Sequence, residues 1–128
     1  MSEAQVLIEF KNNLISFFDE LIDQFPLEPD LVMVRIFLKD QIPIKDAMEE
    51  FVHKITKNDN ELRNMIKARN DEFFLDNNIF DNLGRDKINH FSRIWRSSAL
   101  DEEDKKVIWK WIDSFVYFGD KYIKLLQN

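Results

Sequence analysis

Apolar residues along this chain recur at spacings of three and four, and almost nowhere do they alternate with polar ones. That periodicity places one face of successive helices against a core and predicts helix nearly throughout. Leu7, Phe10, Leu14, Phe17 and Leu21 form one stripe, with Ile8, Ile15, Phe18, Ile22 and Phe25 beside it, so a first helix begins near Glu3 and is stopped by Pro26. A second starts near Pro29, suited to a first helical turn, with Asp30 at the positive end of its dipole. It carries Leu31, Val34, Phe37 and Leu38 inward to about Asp40. Pro43 opens a third, with Ile44, Met48, Phe51 and Ile55 on the inner side and Glu49, Glu50, His53, Lys54 and Lys57 on the outer. Asn58, Asp59 and Asn60 read as a turn and cap that launches a fourth helix on Leu62, Met65, Ile66 and Phe73.

From Asp76 to Gly84 the residues are turn formers, with Ile79, Phe80 and Leu83 tying the segment to the core. A fifth helix then runs from about Asp86 to Ser97 on Ile88, Phe91 and Trp95. The last helix has the strongest pattern: Asp101, Glu102, Glu103 and Asp104 crowd its start, with Ser98 offering a cap. Ile108, Trp111, Phe115, Phe118, Tyr122 and Leu125 make one stripe, and Trp109, Ile112, Val116, Gly119, Ile123 and Leu126 a second, one residue along. Two adjacent stripes predict burial over most of the circumference, with Gly119 admitting a neighbouring helix closely. The expected fold is therefore all-α: a single-domain bundle of about six helices, residues 1–128, with the C-terminal helix at its centre.

Composition narrows the functional classes. A chain of 128 residues with 45% hydrophobic and 33% charged side chains has the makings of one packed core, and no apolar run is long enough to span a membrane. The absence of Cys excludes disulfides, thiol catalysis and Cys-ligated metals, and the N-terminus lacks a signal-peptide layout, so an intracellular, unsecreted protein is expected. The net charge of −6 is unevenly spread. Counted by segment, 4 basic against 11 acidic groups in residues 1–52 give −7, 9 against 7 in residues 53–98 give +2, and 5 against 6 in the remainder give −1. Abundant Phe, Ile, Asn and Lys match AT-rich codons, so their frequency alone carries no functional meaning.

Three constellations could carry chemistry. Glu50 and His53 have the Glu-x-x-His spacing of carboxylate-bridged di-iron bundles, but that site needs a second pair and two more glutamates, and none is present. Asp86 and His90 are four apart, without a nucleophile motif or phosphate loop to complete a catalytic set. No catalytic residue, metal or cofactor is assigned, and a non-enzymatic protein is expected. Arg85, Lys87, His90, Arg93 and Arg96 around Trp95 form the one basic and aromatic concentration, which Arg63, Lys67 and Arg69 could extend. It would suit phosphate and base stacking, yet Trp95 shares the inner stripe and the isoelectric point is about 4.9, so a protein surface fits better than a nucleic acid. Trp109 and Trp111 point about 200° apart on a helix, which makes one of them a candidate interface anchor. Arg85, Arg93, Arg96 and Trp109 are the candidate partner-binding residues, for a protein partner or a second copy of the chain.

Three stretches are distinctive together: Phe17-Phe18-Asp19-Glu20-Leu21-Ile22-Asp23-Gln24-Phe25-Pro26, Asp71-Glu72-Phe73-Phe74-Leu75 and Glu103-Asp104-Lys105-Lys106-Val107-Ile108-Trp109-Lys110-Trp111. In order and spacing they resemble small helical proteins of nucleocytoplasmic large DNA viruses of protists and algae. The resemblance implies a setting, the cytoplasm of an infected cell or the virion, and no reaction. A viral structural or assembly component is the leading expectation. A host-directed adaptor that holds a partner helix in an apolar groove is the alternative, and nucleic-acid binding comes third.

Overall fold

The computed structural model describes residues 1–76, 92–97 and 100–127, and all regular structure among them is helical. The expected cap at Ser98 and the segment with Arg85, His90, Ile88 and Phe91 lie outside the described residues. Helix α1 spans Glu3–Gln24, its first turn closed by Ser2, whose Oγ accepts from the Gln5 N–H at 3.2 Å. Helix α2 covers Pro29–Ile36 and runs into a π-type turn over Phe37–Gln41. There the Ile42 N–H reaches the Phe37 carbonyl at 2.9 Å, and Ile42 is extended (φ −102°, ψ 122°), as Pro43 requires of the residue before it. Helix α3 spans Ile44–Lys67, α4 Asp71–Asp76, α5 residues 92–96 and α6 Glu102–Leu126.

Two breaks have visible backbone causes. Within α3, Lys57 turns extended (ψ 156°) and Asn58, Asp59 and Asn60 all take left-handed conformations, at φ 51°, 56° and 63°. Only short polar side chains that bond locally tolerate such a run without glycine. At the end of α3 the Asn70 N–H bonds to the Met65 carbonyl and the Arg69 N–H to the Ile66 carbonyl, both at 3.0 Å. This is a Schellman closure with Arg69 at the left-handed position (φ 55°) where glycine is usual. The expected fourth helix is thereby cut in two, and Phe73 belongs to α4, capped by Asn70 Oδ1 on the Phe73 N–H at 3.1 Å.

The core is one continuous cluster. Helix α6 packs on both α1 and α3, and α1 touches α2 and α3 in turn, which gives the all-α bundle expected, with α6 at its centre. Phe10, Phe17 and Phe115 meet edge to face where α1 crosses α6, at ring separations of 6.2 Å (Phe10 to Phe115) and 5.5 Å (Phe17 to Phe115). Gly119 is buried, and a Cβ built there would lie 3.2 Å from Phe51 Cε2 and 3.3 Å from Ile55 Cδ1, so it admits α3 as expected. The cap of α6 is Asp101: its Oδ1 accepts from the Asp104 N–H at 2.8 Å while Asp104 Oδ2 accepts from the Asp101 N–H at 3.2 Å.

Two expectations need correcting. Burial on α6 is confined to Ile108, Trp109, Ile112, Phe115, Gly119 and Tyr122, one broad face drawn from both stripes, and Val107, Lys110 and Tyr117 stay exposed. Helices α1 and α3, with α5 against Trp109, all pack on that face. Lys54, placed on the wet side of α3, is 6% exposed, with Glu50 at 3.8 Å from its Nζ. Its long methylene stem lets it lie along apolar neighbours while the ammonium keeps a carboxylate nearby.

Candidate interaction surface

Three of the four candidate residues are described. Arg85 lies outside the described residues. Arg93 reaches Glu28, at the start of α2, with Nη2 3.2 Å from the carboxylate, and Arg96 reaches Glu72 on α4 at 2.9 Å. Their guanidiniums therefore tie α5 to two other elements of the same fold. Trp109 is no exposed anchor: it is 5% exposed, meets Trp95 edge to face at 5.4 Å, and carries the Arg69 guanidinium 5.2 Å over its ring. The ridge of α6 that holds Trp109 turns toward the α3 terminus and α5, so its partner is the core. Trp111 is the half-buried one, its Nε1 donating to Glu20 at 3.0 Å.

What reaches solvent instead is an apolar strip on α2. Val32, Met33 and Ile36 share one helix face and are 42%, 46% and 44% exposed, and Leu27, just before the helix, is 91% exposed. Leu27 occupies the position from which a hydrophobic staple would reach Val32, yet its exposure shows that the staple is not made. Leu31 and Val34 are the side chains of this helix that enter the core. The signal was present in Pro29-Asp30-Leu31-Val32-Met33-Val34-Arg35-Ile36, which holds more apolar residues than an eight-residue helix can hide on one side.

The later part of the arm is tied to α1: Arg35 Nε donates to Asp19 at 2.5 Å, and Lys11 Nζ donates to the Lys39 carbonyl at 2.8 Å. Asp30 stands in the first turn of the arm, and Arg35, Lys39 and Asp40 follow toward its end. A second, smaller apolar feature lies between α1 and α6, floored by Phe17, Leu21, Ile108 and Trp111 and rimmed by Glu20 and Asp104, with a volume of about 70 Å³.

No group of side chains that could hold a metal ion gathers among the described residues. His53 is exposed, Glu50 is engaged with Lys54, and no three His, Asp or Glu side chains converge on a common point. At the far end of the bundle Tyr122 is buried, its hydroxyl 3.3 Å from Glu49 Oε1, and Lys45 bridges to Glu3 at 3.5 Å. Burial, reinforced by the Glu49 charge, raises the Tyr122 phenol above its ordinary pKa, and the Glu3 carboxylate raises that of Lys45. No described helix is long and apolar enough to cross a membrane. Comparison with protein-family models, with curated proteins and with solved structures finds no match to this chain.

Proposed function

We propose that the chain is a non-enzymatic helical interaction module whose partner is a second copy of itself, joined through the outer face of α2, as an assembly component would be. The observation that carries this reading is the strip of Val32, Met33 and Ile36, large apolar side chains exposed on one face of α2, with Leu27 exposed just before the helix. Scattered surface hydrophobes need no explanation, but a contiguous set does. A second copy fits because the arm is self-complementary. Laid antiparallel about Met33, two arms set the apolar strip of one against that of the other, and the same residues meet on both sides of a two-fold axis. The chain's charge of −6 opposes association at long range, and screening within about 8 Å at physiological salt removes most of that opposition.

Nucleic-acid binding is less well supported, since Arg93 and Arg96 are already matched to Glu28 and Glu72. Capture of a whole partner helix also fits poorly: the groove at Phe17 and Trp111, at about 70 Å³, has room for a single apolar side chain. The viral and virion setting is supported by the resemblance of the three quoted stretches alone. Sedimentation equilibrium tests the reading. The wild-type chain should self-associate, more strongly as salt rises toward physiological strength, and the double substitution Met33→Glu with Ile36→Glu should leave a monomer of unchanged circular dichroism. A wild-type monomer at every concentration, or association that survives the double substitution, would refute it.

A further inference from the structure

A cleft of about 400 Å³ opens between the end of α3 and the first turns of α6, within the size range of small-molecule sites. Arg69 forms one wall, Lys105, Lys106 and Lys110 the other, and Trp109 lies between them. Arg69 is the unusual member, since its backbone holds a left-handed conformation and its guanidinium is fixed from two sides. Nη1 and Nη2 donate to the two Asp113 carboxylate oxygens at 2.8 and 2.6 Å, and Nη1 also donates to the Ile66 carbonyl at 3.1 Å. A guanidinium has five N–H donors in a plane. With one edge filled by Asp113, the other edge, formed by Nε and the second N–H of Nη2, keeps two parallel donors with no acceptor among the described residues. That pair of donors is the fork that binds phosphate or carboxylate bidentately.

Of the lysines opposite, Lys106 and Lys110 are exposed, while Lys105 is partly buried with its ammonium 5.8 Å from the centre of the Trp95 ring. Lys106 pairs with Glu103 at 3.2 Å and Lys105 with Glu102 at 3.8 Å, and both glutamates are more than four-fifths exposed. Such pairs contribute little and yield readily to a stronger acceptor. Asp71 and Glu102 also line the cleft, and with Asp113 and Glu103 at its rim the four cations are matched in number. Long-range attraction is therefore weak, and recognition would have to come from directed donors at close range.

We propose that this cleft binds the phosphate group of a small molecule, with the free edge of Arg69 as the bidentate donor and Lys106 and Lys110 as the opposing charges. The site is separate from the α2 face and stands or falls without it. The probe is inorganic pyrophosphate, titrated at constant ionic strength against ¹⁵N-labelled protein. The Trp109 indole resonance should shift saturably, while that of Trp111, on the opposite side of α6, should not. Lys106→Ala with Lys110→Ala, both exposed, should weaken binding at least about tenfold with no change in thermal unfolding, and Arg69→Lys should weaken it similarly because the fork is lost while the charge stays. No saturable shift at Trp109, or binding unaltered by the lysine pair, would overturn the proposal. A phosphoserine peptide that bound through the same lysines more tightly than pyrophosphate would overturn the assignment to a small molecule.

Discussion

Gly119→Ala sets two known effects against each other at one position. Replacing glycine in a helix interior with alanine removes backbone entropy from the unfolded chain and gains about 1 kcal/mol. At Gly119 the added methyl would stand 3.2 Å from Phe51 Cε2 and 3.3 Å from Ile55 Cδ1. The Ile55 methyl sits at the end of a flexible side chain and can turn. The Phe51 ring cannot easily withdraw, because it is 4% exposed and backed by Phe10 at a ring separation of 5.7 Å. Overfilling a packed core costs about 1 to 3 kcal/mol, so the substitution should destabilise by about 0 to 2 kcal/mol despite the better helix former. Urea unfolding at constant slope measures the difference. The diagnostic is Phe51→Leu, which removes the ring edge: in that background Gly119→Ala should become neutral or stabilising, a coupling that a double-mutant cycle reads directly. If Gly119→Ala stabilises the unaltered chain by the full propensity gain, α3 does not approach α6 as closely as described.

Three further outcomes follow from the same packing. Phe115→Ala should cost about 3 to 5 kcal/mol in urea unfolding, because the ring is fully buried between Phe10 and Phe17, while Lys110→Ala on the exposed strip should be nearly silent. Asp101→Ala should cost about 0.5 to 2 kcal/mol and fray the start of α6 in hydrogen exchange, since the Asp104 N–H loses its side-chain acceptor while the Asp104 carboxylate keeps the Asp101 N–H. Stability against pH should fall at alkaline pH: the Tyr122 pKa is raised in the fold, so its contribution is complete below the unfolded value near 10 and disappears as pH climbs through the folded one. Tyr122→Phe should flatten that limb, leaving the share due to Lys45, whose pKa is raised by Glu3 and shifts stability in the same direction.

Much of the fold was legible because helix boundaries here are written in prolines and polar clusters. Pro26, Pro29 and Pro43 bound the first three helices, and Asn58-Asp59-Asn60 turns the chain inside α3, because only such residues accept consecutive left-handed backbone angles. The break at Arg69 was illegible for the converse reason: the position normally filled by glycine holds an arginine, stabilised by Asp113 from 44 residues away. Periodicity on α6 marks two stripes, parts of both of which are buried, so it does not tell that the α3 terminus and Trp95 enclose Trp109. The ion pairs of the basic cluster were illegible for a similar reason. Arg93 and Arg96 look free in sequence, and only the fold brings Glu28 and Glu72 to them. The α2 strip consists of the apolar residues that an eight-residue helix cannot hide on its inner face.

The absence of cysteine permits a direct test of pairing through α2. Met33→Cys places a single thiol beside the proposed two-fold axis, and Tyr117→Cys places one at a similarly exposed point on α6. Under mild oxidation the two thiols at position 33 should come within the few ångströms a disulfide requires. Met33→Cys should then form a covalent dimer rapidly at low protein concentration, and Tyr117→Cys should not. Equal, slow crosslinking of both variants, or none at position 33, would contradict self-association through this face.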